Sequence, residues 1–452
     1  MNSRERQAWI IAASVYVTLF LVWGGGVNTG PVFLPPLLKH FGWTRARVST
    51  LGSAGALIAG ACGPIVGWLV DRIDTRRVTL AGVLTVAVGL IVASRADSYY
   101  LLLAANLMIA IGVTAATLIP ASLVIASWFG ERRGLAMGLT FAGTSLGGAA
   151  MIVVANKAIA VGGWRAGYVA MAIPMLVIVA PLVLFVVRSR PAPAIDSADL
   201  AGARVETVVV PGVELAEAFR SRSFWLIAIA EFFYACAIGG TLVHLVVYLI
   251  GTGYTATLST SSLSMIYLMS TVGKLSLGPS ADRLSPRIVL ALVFAGAALG
   301  TILLLAAGSA AMLAGFILLV GIASGTPLVL LPLVFIQSLG LKRLGSMQGA
   351  AGILATIGAA IGPVAAGRIL RRERQHRGCF WHLRRDVARS RTRDIRVHPP
   401  RAGNRATTSS HRRIYDNTDP HFIAVLTLLV LPRLTSCPKG SRPDLFRSPI
   451  PK

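Results

Sequence analysis

Gly67-Trp-Leu-Val-Asp71-Arg72, followed by Arg76-Arg77, recurs later in the chain as Gly278-Pro-Ser-Ala-Asp282-Arg283, followed by Arg287. The offset is 211 residues, and it is kept further along: Arg132, Gly134, Gly138 and Gly147 correspond to Arg343, Gly345, Gly349 and Gly358. One glycine–acid–arginine match means little in a chain rich in glycine and arginine. Several matches at one constant offset mark an internal duplication. Each acid ends an apolar run, where a carboxylate binds the positive N-terminal end of a helix from the other half. Asp71 is expected to meet the helix beginning around Gly345 and Ser346, and Asp282 the helix beginning near Gly134. Arg72, Arg76 and Arg77 pair with acids or lipid phosphates in this reading; with Arg132, Arg283, Arg287 and Arg343 they complete an expected gate set. The alternative for Arg76 and Arg77 is that they only fix orientation, a task for which the neighbouring acid is not needed. The glycines allow close helix approach.

The rest of the chain gives the medium in which these halves sit. Of the 452 residues 55% are hydrophobic and 13% charged, against about 25% charged in a soluble domain. So few charges cannot cover a water-facing surface, and lipid must be the solvent for much of the chain. Runs of about 20 apolar residues suit helices rather than barrel strands. The expected spans are 9–35, 48–70, 78–94, 99–128, 135–161, 167–187, 223–250, 260–281, 287–308, 310–338 and 346–369, eleven in all. The domains read as a bundle over 1–187, a polar cytoplasmic linker over 188–222, a second and incomplete bundle over 223–370, and an Arg-rich tail over 371–452. Within the linker, 213–221 suits a short surface helix.

Loop charge sets the orientation. With the N-terminus inside, sixteen loop Lys and Arg fall on the cytoplasmic side and six (Lys39, Arg45, Arg47, Arg95, Lys157 and Arg165) on the other. The expected location is an inner membrane, multi-pass, with a cytoplasmic N-terminus. The first apolar run has no small-residue cleavage pattern and is read as a retained helix. Cys62, Cys236, Cys379 and Cys437 lack disulfide or metal-ligand spacing. There is no nucleophile–base constellation, metal set or phosphate loop, so an enzyme reading has no support and no cofactor is expected.

The loop segment around Asp71 resembles the signature of the major facilitator superfamily, with Asp74 and Ser285 standing where that signature has a glycine. Phe41-Gly-Trp-Thr-Arg-Ala46, Trp128-Phe-Gly-Glu-Arg-Arg-Gly134, Gly163-Trp-Arg165 and Val243-His-Leu-Val-Val-Tyr248 resemble the branch of monocarboxylate porters and oxalate–formate antiporters. The resemblance covers residues 8–370. It implies an all-α membrane fold of two six-helix bundles around a central cavity, here with the twelfth span missing or replaced. It also implies alternating access without ATP. The implied partners are a small organic anion, with or without a proton or counter-anion, and the bilayer; no nucleic acid is expected, and the chain is expected to be a monomer.

Ionisable residues inside spans are functional candidates. Lys274 lies eight residues before Asp282, about 12 Å along a helix, too deep to reach that edge easily. In the porters of this branch a basic residue four positions before the signature glycine binds the substrate carboxylate, and Lys274 stands four before Gly278; a ligand-free snorkelling lysine is the alternative. The first half has Gly63 at the equivalent place. His244 suits an anion donor or proton carrier, or a hydrogen-bonded structural histidine. Asn28, Tyr16 and Asn106 lie on helices that line the cavity in this fold. Ser270 occupies a position where some proton-coupled porters have an acid, so proton symport does not carry over. Glu231 is expected at the depth of Lys274 on the neighbouring span. It is therefore a candidate coupling residue, paired with Lys274 until a substrate carboxylate displaces it; the alternative is that the two face different ways. A polyspecific drug or metabolite exporter, which favours a cavity acid and aromatics over a lysine, and a non-transporting membrane sensor are the other function classes. The linker is short for a signalling domain.

From Arg371 to Lys452 the chain has nineteen Lys and Arg against six Asp and Glu, so this stretch carries +13 of the net +25. Only Phe422–Leu431 is apolar there, too short to cross about 30 Å as a helix. A nucleic-acid or lipid-binding tail is one reading. A shifted reading frame is the other: codons allowed for Arg371 to Asp386, read one base later, encode a loop and an apolar helix. Resequencing the gene through the codons for Leu370 and Arg371 should reveal the displaced frame. The same tail in independent clones with an intact frame would contradict it.

Overall fold

The computed structural model describes residues 3–188, 212–305 and 309–366. The expectations for 371–452, and for the missing twelfth span, lie outside these residues. In chain order the helices are α1 Ser3–Phe41, α2 Arg45–Arg72, α3 Thr75–Ser94, α4 Tyr99–Trp128 and α5 Arg133–Phe185. After the linker come α6 Leu215–Arg220, α7 Arg222–Gly251, α8 Ala256–Arg283, α9 Pro286–Leu305, α10 Ala310–Gly325, α11 Pro327–Leu339 and α12 Leu344–Ala366. Among the described residues there is no strand, only an isolated bridge between Gly212 and Gly340. The all-α membrane reading holds.

Sequence chemistry explains the breaks. Thr44, Asp74, Ser98, Ser221, Thr255 and Ser309 cap helix starts with side-chain oxygens, satisfying backbone donors that lack intrahelical partners. In α1 the Gly24-Gly25-Gly26 run lies in a π-helical stretch, Leu19–Asn28, which lets the backbone press against α5. In α5, Gly163 takes φ 73°, where an L side chain is strained, and bends the helix. Pro327, without an N–H, starts α11 at 49° to α10.

Eight of these helices are long and apolar enough to cross a membrane, nine if the bent pair α10–α11 is one crossing. This count runs below the eleven expected spans for two reasons. Arg133–Phe185 counts once although non-helical Gly162 and Gly163 divide it into two helices, which match the expected spans 135–161 and 167–187. The 28-residue α8 is so rich in serine and threonine that apolarity does not pick it out.

Two crossings bring the halves together, and they are related by the 211-residue offset. A Cβ placed on Gly67 would overlap the carbonyl of Gly345, and one on Gly134 would overlap the carbonyl of Gly278. One turn further along, Gly63 faces Gly349 and Gly138 faces the backbone of Lys274. Packing without side chains is how helices gain van der Waals contact in lipid, where no hydrophobic drive acts between them. Gly67→Leu and Gly134→Leu should therefore each lower the melting temperature of the detergent-purified protein, since overpacking costs about 1–3 kcal/mol. Gly130→Ala, which meets nothing within 4 Å, should not. Equal melting of all three variants would refute the two crossings.

Candidate functional site

At the end of each glycine crossing a carboxylate binds the start of a helix from the other half. Asp71 Oδ1 accepts from Gly345 N at 3.1 Å, and its Oδ2 accepts from Ser346 N at 2.8 Å and Ser346 Oγ at 2.6 Å. Asp282 accepts from Gly134 N at 2.6 Å and Leu135 N at 2.8 Å. The acceptors are charged and the donors belong to the first turns of α12 and α5, where helix dipole and unpaired N–H groups point outward. This face of the molecule, called the Asp71 face below, is closed by these two caps.

The arginines of the expected gate set are not all at these caps. Arg343 donates to Glu214 at 3.0 Å, and Arg132 lies 3.7 Å from Glu5 in an exposed pair. Arg287 donates to Ser338 Oγ at 2.9 Å, and Arg72 stacks over the Trp68 ring at 4.6 Å. The backbone N–H of Arg76 donates to the capping carboxylate of Asp74, while Arg77 and Arg283 are exposed. Glu214, which the sequence reading left in the linker, takes Lys342 at 2.8 Å as well as Arg343. Val213 N donates to Leu339 O beside it. Hydrogen bonds from Lys342 and then Arg343 hold the Glu214 carboxyl below the usual carboxylate range. The clamp is thus present at neutral pH and is released only as pH falls through that depressed value.

A cavity of about 490 Å³ separates the halves. Its lining runs from Gly30, Gly52 and Gly55, toward the helix ends remote from Asp71, down to Phe335 and Gln348. Gln348 is four residues into α12, about 6 Å from the Asp71 face. Of the expected substrate and coupling residues, Asn106 and Glu231 line this cavity. Trp23, Phe141, Thr114 and Gln348 also line it and were not singled out from sequence. Their helices are apolar on most sides, so the cavity side is decided by packing.

Lys274 does not line the cavity. It is 2% exposed, and its Nζ donates to Thr144 Oγ1 at 2.8 Å and Ser145 Oγ at 2.7 Å on α5. Asn28 Nδ2 donates to Thr144 O at 3.1 Å, so it braces the same stretch. His244 Nε2 donates to Pro363 O at 2.9 Å and ties α7 to α12. Tyr16 packs on Phe20 within α1. Among the described residues no ion pair joins Glu231 to Lys274, so the expected pair is not formed in this conformation. No group of three His, Cys, Asp or Glu among them could hold a metal ion.

If the caps hold this conformation, Asp71→Asn should weaken it, because three bonds to a charged acceptor become at most two to a neutral amide oxygen, and each charged bond is worth about 1.5–3 kcal/mol. With Cys62, Cys236, Cys379 and Cys437 replaced by serine, a cysteine at Thr356 in the cavity wall reports the state. Asp71→Asn should slow its alkylation from the face remote from Asp71 by roughly tenfold and permit alkylation from the Asp71 face. Unchanged rates from both faces would contradict the role of the cap.

The model of the Major Facilitator Superfamily matches residues 15–363. The MFS transporter asaE of Aspergillus flavus is 27% identical over 369 residues, 80% of this chain and 80% of that protein. Monocarboxylate transporter 9 of Rattus norvegicus is 29% identical over 140 residues, 31% of this chain and 27% of that protein. Among solved structures, the transporter FucP in the outward conformation superposes with a TM-score of 0.60 at 18% identity, covering 80% of this chain and 92% of that one. The duplicated loop, the paired helix caps and the central cavity accord with these matches, and the chain belongs to the Major Facilitator Superfamily.

Proposed function

We propose that this chain moves a small organic anion of monocarboxylate type across the inner membrane by alternating access, as a monomer with its N-terminus in the cytoplasm. The observation that carries the anion is Lys274: a buried ammonium with two neutral hydroxyls as partners and no carboxylate among the described residues. An unpaired charge there costs several kcal/mol, and a cargo carboxylate offsets it. The name of the rat relative agrees with this cargo. The bundles 1–187 and 223–370 rock about the cavity, and the linker 188–222 joins them on the cytoplasmic side. The excess of loop arginine on the Asp71 face supports that face being cytoplasmic. The conformation is then outward-facing, like that of the FucP structure. Glu231, the ionisable group in the cavity wall, is suited to take the coupled proton; exchange against a counter-anion would leave it idle.

One observation favours a second reading. The cavity wall presents Glu231 with Trp23, Phe141 and Phe335, while Lys274 stands behind it. An exporter of apolar or cationic metabolites would use such a wall directly. The two readings differ in what Lys274 does. In proteoliposomes, Lys274→Ala should abolish carboxylate uptake and Lys274→Arg should keep part of it, since charge survives and geometry changes. Equal uptake by wild type and Lys274→Ala at matched abundance refutes the anion reading.

A further inference from the structure

The partners of Lys274 differ in what they have left to give. An ammonium has three donors, and two are spent on Thr144 and Ser145. The Thr144 hydroxyl donates its own proton to Phe141 O at 2.8 Å, so toward Lys274 it only accepts. Ser145 accepts from Lys274, and among the described residues its O–H meets no acceptor; the third N–H of Lys274 is in the same position. Two unspent donors therefore leave a pair of atoms 2.7 Å apart.

The pair stands behind the cavity wall, with Ser145 its more exposed member. Ser145 is half-buried where Thr144 and Lys274 are buried. It follows Phe141 by four residues, which puts it on the same helix face as that cavity-lining ring and one turn nearer the cavity's remote end. Across from it, Gly325 makes room for the lysine stem. A Cβ there would overlap Ser270 Oγ and lie 2.6 Å from Lys274 Cε. Lys274 is thus fixed along α10 with its head turned to Ser145.

We infer that Ser145 completes a two-point carboxylate site with Lys274, donating its O–H to one cargo oxygen while the ammonium holds the other. Thr144 has no free proton, so it positions Lys274 and does not bind cargo. This inference rests on the anion reading, and it makes Ser145 a specificity-determining residue that separates a carboxylate from a neutral analogue.

The test uses the full chain in proteoliposomes, with initial uptake rates of labelled acetate, pyruvate, lactate and benzoate. For the best-transported member, Ser145→Ala should raise KM about tenfold or more, the loss of a hydrogen bond to a charged group. Its maximal rate should stay within about twofold. Ser145→Thr keeps the hydroxyl and should stay near wild type; Ser145→Cys, a weak donor of similar size, should fall between. Inhibition by the neutral amide of the same acid should be equal in wild type and Ser145→Ala. If Lys274→Ala abolishes uptake while Ser145→Ala and Ser145→Cys keep the wild-type KM, the Ser145 assignment is overturned and the anion reading stands. If wild type moves no member of the panel, or Lys274→Ala moves it as well as wild type, the anion reading fails and the Ser145 site with it.

Discussion

A carboxylate that caps the first turn of a helix from the opposite half is the interaction on which the rest of the molecule depends. The first N–H groups of a helix have no partners within it. At α12 and α5 those groups are met by Asp71 and Asp282. The caps form only because the helix pairs cross without side chains between them, Gly67 on Gly345 and Gly134 on Gly278. A few charged hydrogen bonds at each site are strong enough to hold one face shut and weak enough to be given up reversibly. The two caps are equivalent in the repeat, and both tie one half to the other on the same face.

The symmetric frame carries an asymmetric core. Gly63 and Lys274 are the same position in the two halves. In the first half a glycine meets Gly349; in the second the lysine backbone meets Gly138 while the side chain reaches Thr144 and Ser145. The crossing tolerates the lysine because Gly138 and Gly325 leave space for its backbone and stem. A charge is thereby introduced at mid-membrane without disturbing the contact that holds the halves. The cavity beside it has an acid, Glu231, in its wall, so cation and acid occupy separate environments.

Much of this was legible in the sequence. The constant offset identifies which acid faces which helix start, because a duplicated loop fixes both members of each contact. The gap between the expected spans 135–161 and 167–187 falls at Gly162–Gly163; the caps Asp74, Ser98 and Thr255 and the break at Pro327, through which the expected span 310–338 runs, came from the structure alone. What sequence spacing cannot give is rotation about a helix axis when several faces are apolar. Eight residues from a helix end sets the depth of both Lys274 and Glu231, yet one is packed against α5 and the other lines the cavity. His244 and Tyr16 fail to reach the cavity for the same reason, and Gln348 and Thr114 reach it unannounced. The role of Glu214 depended on a contact with the loop after α11, more than a hundred residues away, and no local pattern encodes that.

The proposed carboxylate site is centred on Lys274. Counterflow tests it most directly, because it needs no knowledge of the driving ion. Proteoliposomes loaded with unlabelled lactate and diluted into labelled lactate should accumulate label transiently, and loading with a cationic dye in place of lactate should give none. No accumulation of labelled lactate in lactate-loaded vesicles, with accumulation of labelled dye in dye-loaded ones, would contradict this and assign the cavity to the exporter chemistry of Glu231 and its aromatic neighbours.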